Sequence, residues 1–127
     1  MGTFRVRIEV GDPSGQRFEA VEALVDTGSS NTSMPSSLLT RLGVHPYGCA
    51  EFELADGSVR EFEMGYARVK VTGREGITQV VFAPEDLEPR LGHITLSELL
   101  LDVDAEREAL VPVPGLLVTP RLISQTD

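Results

Sequence analysis

The stretch Ala23-Leu24-Val25-Asp26-Thr27-Gly28-Ser29-Ser30 decides the fold of this chain. The apolar residues before Asp26 are typical of a central strand, and the polar residues after it indicate a tight turn. Gly28 lets the backbone pass close to a neighbour. The hydroxyls of Thr27 and Ser29 are available to lock the loop or to orient the carboxylate. The sequence therefore predicts a carboxylate held rigidly on a turn at the end of a buried strand.

Short strands separated by Gly, Pro and Asp turns account for most of the remaining chain. Clean alternation predicts a strand over residues 3–10, and apolar residues predict further strands over 17–25, 66–71 and 77–83. A turn is predicted at 73–76, and a last hairpin over 101–118 that turns at 104–107. Two short helices are predicted, one over 35–43 between Pro35 and Gly43, the other over 96–101 after the capping box Thr95-Leu96-Ser97-Glu98. This pattern indicates a mainly β domain, closed or sandwich-like, with two short helices.

A further hairpin is predicted over residues 51–63. Asp56-Gly57 is a strong signal for a two-residue type I′ turn, which would place Leu54 opposite Val59. That register would place the apolar Phe62 on the same face of the hairpin as the charged Glu53. A bulge near residues 60–62 is therefore expected, because it would shift the register.

Length and charge restrict the class of protein. With 127 residues, of which 41% are hydrophobic, the chain fits one globular domain over residues 1–127. The net charge is −9, and this surface would repel both nucleic acid and anionic membranes, so we expect neither as a partner. The charge leaves open a preference for basic or neutral peptides.

The N-terminus and the cysteine content indicate a compartment. Residues 4–10 alternate apolar and charged side chains and lack the apolar run of a signal peptide. The single cysteine, Cys49, has no internal partner and fits a reducing compartment. A soluble, cytoplasmic protein is therefore expected.

The sequence gives little support for a metal site or a catalytic cysteine. The acidic cluster in residues 102–108 lacks the Gly-centred loop of a calcium site and is interpreted as a solvated hairpin. His45 and His93 lack partners at metal-ligand spacing, and Cys49 lacks a companion His or Asn. We expect no metal and no cofactor.

A single Asp26 is half of a proton-transfer site. One carboxylate cannot act as general base and general acid at the same instant, and the chain contains one Asp-Thr-Gly. Two copies meeting across a two-fold axis would repel each other as ions and would hold one shared proton. Such a pair could activate a water with one carboxylate and polarise a carbonyl with the other.

The order of these segments resembles that of retropepsin-like, single-domain aspartic proteases. Residues 23–30 and 38–43 resemble the active-site segment of that family, and residues 54–58 resemble its β-hairpin flap. Leu91-Gly92, followed by residues 96–100, resembles the late hydrophobic-Gly segment and its short helix. The resemblance implies a closed acid-protease-like β-barrel with one flap hairpin and two short helices.

The resemblance also implies roles for individual residues. Asp26 would be the catalytic aspartate, Thr27 would interlock with its symmetry mate, Gly28 would bind substrate through its carbonyl, and Ser29 would lie near the carboxylate. The flap that closes over a bound peptide would consist of Ala55, Asp56, Gly57 and Ser58. The implied function is that of an aspartic endopeptidase, in which a water between the two Asp26 carboxylates of a homodimer hydrolyses a polypeptide. The alternative is a non-catalytic peptide-binding or dimerisation module that retains this fold.

Two residues depart from the family pattern. Arg90 precedes Leu91-Gly92 where an apolar residue is usual, and it would either extend outward or perturb the floor beneath the active site. Asp56 puts a negative charge at the flap tip, which would oppose ionisation of the carboxylates and narrow the substrate range. The apolar run 116–118 is either part of a dimer interface or an ordinary edge strand.

Overall fold

A computed structural model describes residues 3–117 of the chain as nine strands and two short helices. The strands are β1 (Phe4–Gly11), β2 (Phe18–Val25), β3 (Thr32–Pro35), β4 (Gly48–Glu53), β5 (Val59–Val71), β6 (Arg74–Ala83), β7 (Arg90–Leu91), β8 (Leu101–Asp104) and β9 (Ala109–Pro112). The helices are α1 (Ser36–Arg41) and α2 (His93–Glu98). Neither helix has the length or the apolar run needed to span a bilayer in this part of the chain.

The main sheet returns on itself. Its strand order is β1-β2-β7-β3-β6-β5-β4, and β1 also pairs with β5, so six strands form a ring to which β4 is added. A ring removes the unpaired edges of the strands that it includes. β8 and β9 form a separate two-stranded sheet. The prediction of a mainly β fold with two short helices is confirmed.

The core fills the inside of this ring. Alternation along β1 turns Ile8 and Val10 inward, and Val25 at the end of β2 is fully buried beside them. The neighbouring Leu91 on β7 is also fully buried. Each such side chain stabilises the fold by about 1.5–3 kcal/mol through removal from water. The strand ends that carry the site therefore rest on well-packed apolar residues.

The hairpin of β4 and β5 differs from the prediction. Glu53, not Leu54, lies opposite Val59. The Gly57 N–H donates to the Leu54 carbonyl at 2.9 Å, and the Leu54 N–H donates to the Ser58 carbonyl at 2.8 Å. With Gly57 at a φ of +86°, this is a three-residue loop ending in a glycine bulge. The prediction of a two-residue turn was therefore wrong, and the bulge lies at Gly57 in the turn rather than near residues 60–62.

A two-residue turn with two positive φ angles occurs instead between β5 and β6. Thr72 has a φ of 49° and Gly73 a φ of 79°, and Val71 pairs with Arg74 directly across them. These angles are those that a type I′ turn requires. The turn predicted at residues 73–76 was placed too late, and the strand predicted over 66–71 is the second half of the longer β5.

The first helix was predicted well and the second was not. Helix α1 has Pro35 at its N-cap and Gly43 beyond its end at a φ of +81°. Helix α2 begins at His93 after Gly92, so the predicted capping box does not cap it. Thr95 is buried within the helix, because its hydroxyl bonds to distant strands rather than to its own backbone.

The last hairpin is shorter than predicted. β8 and β9 enclose a turn at residues 105–108, close to the predicted position, and β9 ends at Pro112. Leu116 and Leu117 are exposed in the single chain. Val118, the end of the predicted hairpin and of the apolar run, lies outside the described residues.

Candidate active site

Asp26 begins the loop that follows β2, and β7 fixes its position. Leu24 and Val25 run parallel to Arg90 and Leu91. The Asp26 N–H continues this ladder by donating to the Leu91 carbonyl at 3.1 Å. The backbone that carries the carboxylate is therefore an extension of the sheet.

The other end of the loop is held by helix α2. The N–H groups of His93 and Ile94, which have no partner inside a helix, donate to the carbonyls of Ser29 and Ser30 at 2.9 and 3.0 Å. Gly92 makes this approach possible, since a Cβ there would lie 2.4 Å from the backbone carbon of Asn31. The loop and the start of α2 thus determine each other's position.

The carboxylate of Asp26 accepts hydrogen bonds at both oxygens. Oδ1 accepts from the Gly28 N–H at 3.0 Å, and Oδ2 accepts from the Ser29 hydroxyl at 3.1 Å. Ser29 therefore orients the carboxylate, one of the two uses suggested for the loop hydroxyls. Thr27 is exposed and lies outside the groove described below. The Asp26 side chain is 21% exposed, so it faces the surface from a partly desolvated position.

Arg90 makes a third bond to the same carboxylate. Its Nη1 donates to Asp26 Oδ2 at 2.6 Å. Strand alternation turns Leu91 into the core and Arg90 toward the groove. The Arg90 side chain is 39% exposed, but its guanidinium contacts Asp26, so it does not simply extend outward. Alternation in a two-residue strand gives the side on which Arg90 lies, but not its partner.

A chain of hydroxyl groups lies beneath the loop, and the sequence did not indicate it. The Gly92 N–H donates to Thr32 Oγ1 at 3.0 Å, and Thr78 Oγ1 donates to Glu98 at 2.9 Å. Between them, Thr95 Oγ1 lies 2.6 Å from the Thr32 hydroxyl and 2.8 Å from that of Thr78. Because Thr78 gives its proton to Glu98, it accepts from Thr95, which in turn accepts from Thr32. Each hydroxyl therefore donates to the next one in the direction of Glu98, and this row of hydroxyl groups joins β3, β6 and α2.

A groove of about 1050 Å³ opens above Asp26. Gly28 and Ser29 line it next to Asp26, and Ala55 and Asp56 of the predicted flap line it from the hairpin side. Gly57 and Ser58 belong to the same loop but are not part of its lining. The remaining wall includes Asn31, Ser33, Glu51, Phe52, Glu53, Arg60, Phe62, Asp86, Leu87 and Arg90. The structure thus brings the loop and the flap-like hairpin to one groove.

The charge at the hairpin tip is engaged within its own turn. Asp56 Oδ1 accepts from the Ser58 hydroxyl at 2.6 Å and from the Ser58 N–H at 2.9 Å. These two hydrogen bonds hold the pKa of Asp56 below its ordinary value. The carboxylate therefore stays ionised at the rim of the groove and braces the turn.

The chemistry available in one chain is that of a single oriented carboxylate. Within residues 3–117, no cluster of three or more His, Cys, Asp or Glu side chains is placed to hold a metal ion. Of the two carboxylate oxygens, Oδ1 keeps one lone pair with which it could accept a proton from a water in the groove.

Comparisons with known proteins agree on one kind of protein. A family model described as "gag-polyprotein putative aspartyl protease" matches residues 16–98. The simian foamy virus (mac) protease is 20% identical, with 73% of this chain and 91% of that chain covered at a TM-score of 0.53. The EIAV protease, solved in complex with the inhibitor HBY-793, is 20% identical, with 76% and 86% covered at a TM-score of 0.59. A retropepsin-like aspartic protease from Rickettsia conorii is 19% identical, with 86% and 91% covered at a TM-score of 0.50. No curated protein matches the chain significantly. At these identities the structural likeness shows a shared fold.

Proposed function

Because the chain belongs to the gag-polyprotein putative aspartyl protease family and has a retropepsin-like fold, we propose that it is an aspartic endopeptidase active as a homodimer. The proposed substrate is a polypeptide bound in the groove, and the proposed catalytic residue is Asp26. The supporting observation is the carboxylate itself, oriented by the Gly28 N–H and the Ser29 hydroxyl at the edge of an open groove.

The proposed reaction needs two copies of Asp26. Across a two-fold axis, repulsion between the carboxylates favours one shared proton. The ionised Asp26 takes a proton from a water, whose oxygen attacks the scissile carbonyl carbon. The protonated Asp26 of the other copy donates its proton to the carbonyl oxygen. When the tetrahedral intermediate collapses, the C–N bond breaks and a proton passes to the leaving amine.

The other site residues support these steps in the proposal. Gly28 binds the peptide backbone through its carbonyl, Ser29 orients the carboxylate, and Thr27 interlocks with its symmetry mate. The exposure of Thr27 leaves its side chain available for such a contact. The flap loop Ala55–Ser58 closes over the peptide and excludes water.

The test is cleavage of a mixed-peptide library from acidic to neutral pH by wild type and Asp26→Asn. The substitution keeps the shape and removes the base, so we expect turnover to fall by about 10²–10⁴-fold. Asp102→Asn is the matched control, since Asp102 lies on β8 away from the groove. Turnover by Asp26→Asn equal to that of the wild type would refute the proposal.

Dimer dependence has a separate test. Random assortment of equal amounts of wild type and Asp26→Asn leaves about a quarter of the dimers fully wild type. Because each active site needs two Asp26 residues, activity per wild-type chain should fall by about half. Activity per wild-type chain that mixing does not change would show that one chain suffices.

A non-catalytic peptide-binding module is the second candidate. It is favoured by the contact between Arg90 and Asp26, because an arginine on the carboxylate reduces the access of a water to Oδ2. In that case the groove binds an extended peptide by adding it to strand edges. Equal peptide binding by wild type and Asp26→Asn, with no cleavage by either and a monomer at micromolar concentration, would support this candidate.

Further properties stay predictions. A cytoplasmic location is proposed from the single cysteine, and Cys49 is free and exposed in the structure. The net charge of −9 remains the reason to expect neither nucleic acid nor membrane as a partner. One domain over residues 1–127 is likewise proposed.

A further inference from the structure

The contact between Arg90 and Asp26 occupies one oxygen of the carboxylate on which the proposed reaction depends. Oδ2 accepts from Arg90 Nη1 at 2.6 Å and from the Ser29 hydroxyl at 3.1 Å, which uses both of its lone pairs. Only one lone pair of Oδ1 remains, since the Gly28 N–H occupies the other. The Arg90 side chain is 39% exposed and lines the groove. It is therefore fixed to Asp26 and accessible to a bound peptide.

In a homodimer this contact opposes the proposed chemistry. Two carboxylates share a proton because their charges repel each other, and a guanidinium next to each one offsets that repulsion. With Arg90 in place, a water has less access to Oδ2. Departure of Arg90 from Asp26 would free a position at Oδ2 for the water.

The other charges of the groove show what would draw Arg90 away. Arg60, the second cation of the lining, lies over the Phe62 ring at 5.1 Å, on the hairpin. The remaining charged residues of the lining are acidic, namely Glu51, Glu53, Asp56 and Asp86. Arg90 is thus the cation beside the carboxylate, within a mostly acidic groove.

We propose that Arg90 is a specificity-determining residue that selects peptides with an Asp or Glu side chain next to the scissile bond. A bond attacked by a water on Asp26 lies close to Arg90, because consecutive residues of an extended peptide are about 3.3–3.6 Å apart. The carboxylate of the peptide accepts from Arg90 in the bidentate geometry that guanidinium groups favour, and this releases Asp26. The acidic remainder of the groove favours neutral or basic residues elsewhere in the peptide. This inference rests on the proposed endopeptidase function.

The size of the preference follows from an exchange of partners. When a peptide without an acidic side chain binds, Arg90 loses its charge-assisted hydrogen bond to Asp26 and is left hydrogen-bonded to water. When an acidic peptide binds, Arg90 exchanges the carboxylate of Asp26 for that of the peptide. A net difference of one partly exposed charged hydrogen bond corresponds to about a tenfold difference in kcat/KM.

The test compares matched peptides that carry Glu or Gln on either side of the scissile bond in an otherwise neutral or basic sequence. For the wild-type full-length chain we expect kcat/KM to be about tenfold higher with Glu than with Gln. Arg90→Leu should abolish this preference and cleave the Gln peptide faster than the wild type does, whereas Arg90→Lys should keep a smaller preference. Arg60→Leu is the control, and its Glu-to-Gln ratio should equal that of the wild type. A wild-type ratio of one, or a ratio that Arg90→Leu does not change, overturns the proposal.

Binding separates this inference from the proposed function. Calorimetric titration of the same two peptides should show tighter binding of the Glu peptide by wild type and equal binding by Arg90→Leu. This preference without cleavage would refute the endopeptidase and leave the role of Arg90 in place. Cleavage of both peptides at equal rates would refute the role of Arg90 and leave the proposed endopeptidase in place.

Discussion

Replacement of Thr95 by valine tests whether the hydroxyl chain beneath the loop stabilises the fold. Valine keeps the shape of threonine and removes its hydroxyl. Thr95 is 1% exposed and Thr32 is fully buried, so no bulk water can replace the lost group. The Thr32 hydroxyl would lose its acceptor, while Thr78 would lose a donor but still bond to Glu98.

The expected loss of stability follows from these two broken contacts. A buried donor without a partner costs about 1–3 kcal/mol, and a lost net hydrogen bond costs about 1 kcal/mol. The added methyl group returns about 0.8 kcal/mol through burial. Thr95→Val should therefore lower the free energy of unfolding by about 1–3 kcal/mol. Thr95→Ser keeps the hydroxyl and loses a methyl group, which should cost about 1 kcal/mol.

Urea unfolding of the two variants and the wild type measures this difference. With a slope of about 1–3 kcal/mol per molar urea, Thr95→Val should lower the midpoint by on the order of 1 M and Thr95→Ser by less. If Thr95→Ser is the less stable variant, packing of the methyl group matters more than the hydroxyl chain, and the reasoning is refuted.

Two further predictions concern the loop contacts and the flap turn. Gly92→Ala should destabilise the protein by about 1–3 kcal/mol or more, because the added Cβ would meet the backbone of Asn31. Gly48→Ala is the control in the same unfolding assay; a Cβ at Gly48 meets nothing within 4 Å, so this variant should be close to neutral. Equal stability of the two variants would contradict the close approach of the loop to α2. Ser58→Ala should raise the pKa of Asp56 toward its ordinary value of 3.8, as measured by an NMR titration of the carboxyl carbon; an unchanged titration would mean that the hydroxyl does not hold this charge. Because the folded-state pKa is lowered, Asp56 stabilises the wild-type turn above pH 3.8 and loses this effect as the pH falls through the folded value.

The predictable part of the fold is the part with a local pattern. β1 alternates apolar and charged residues, β2 ends in an apolar run, and α1 lies between Pro35 and Gly43. These signals act within a few residues, so the sequence alone was enough to identify them. The loop at Asp26 was found in the same way, as a polar turn after an apolar strand.

The unpredicted part consists of contacts between distant segments. β3 and β7 have four and two residues and form only by pairing with other strands, so they offer too few residues to show a period. Thr95 followed the sequence pattern of a helix cap, but its hydroxyl bonds to Thr32, which is 63 residues away. In both cases tertiary hydrogen bonds prevailed over the local preference.

Arg90 shows how such a distant contact bears on function. It lies 64 residues from Asp26 in the chain and reaches its carboxylate at 2.6 Å. In a single chain the guanidinium compensates a partly buried charge, which would otherwise be costly. The motif around Asp26 therefore identifies the carboxylate, and only the tertiary structure shows that a cation lies on it.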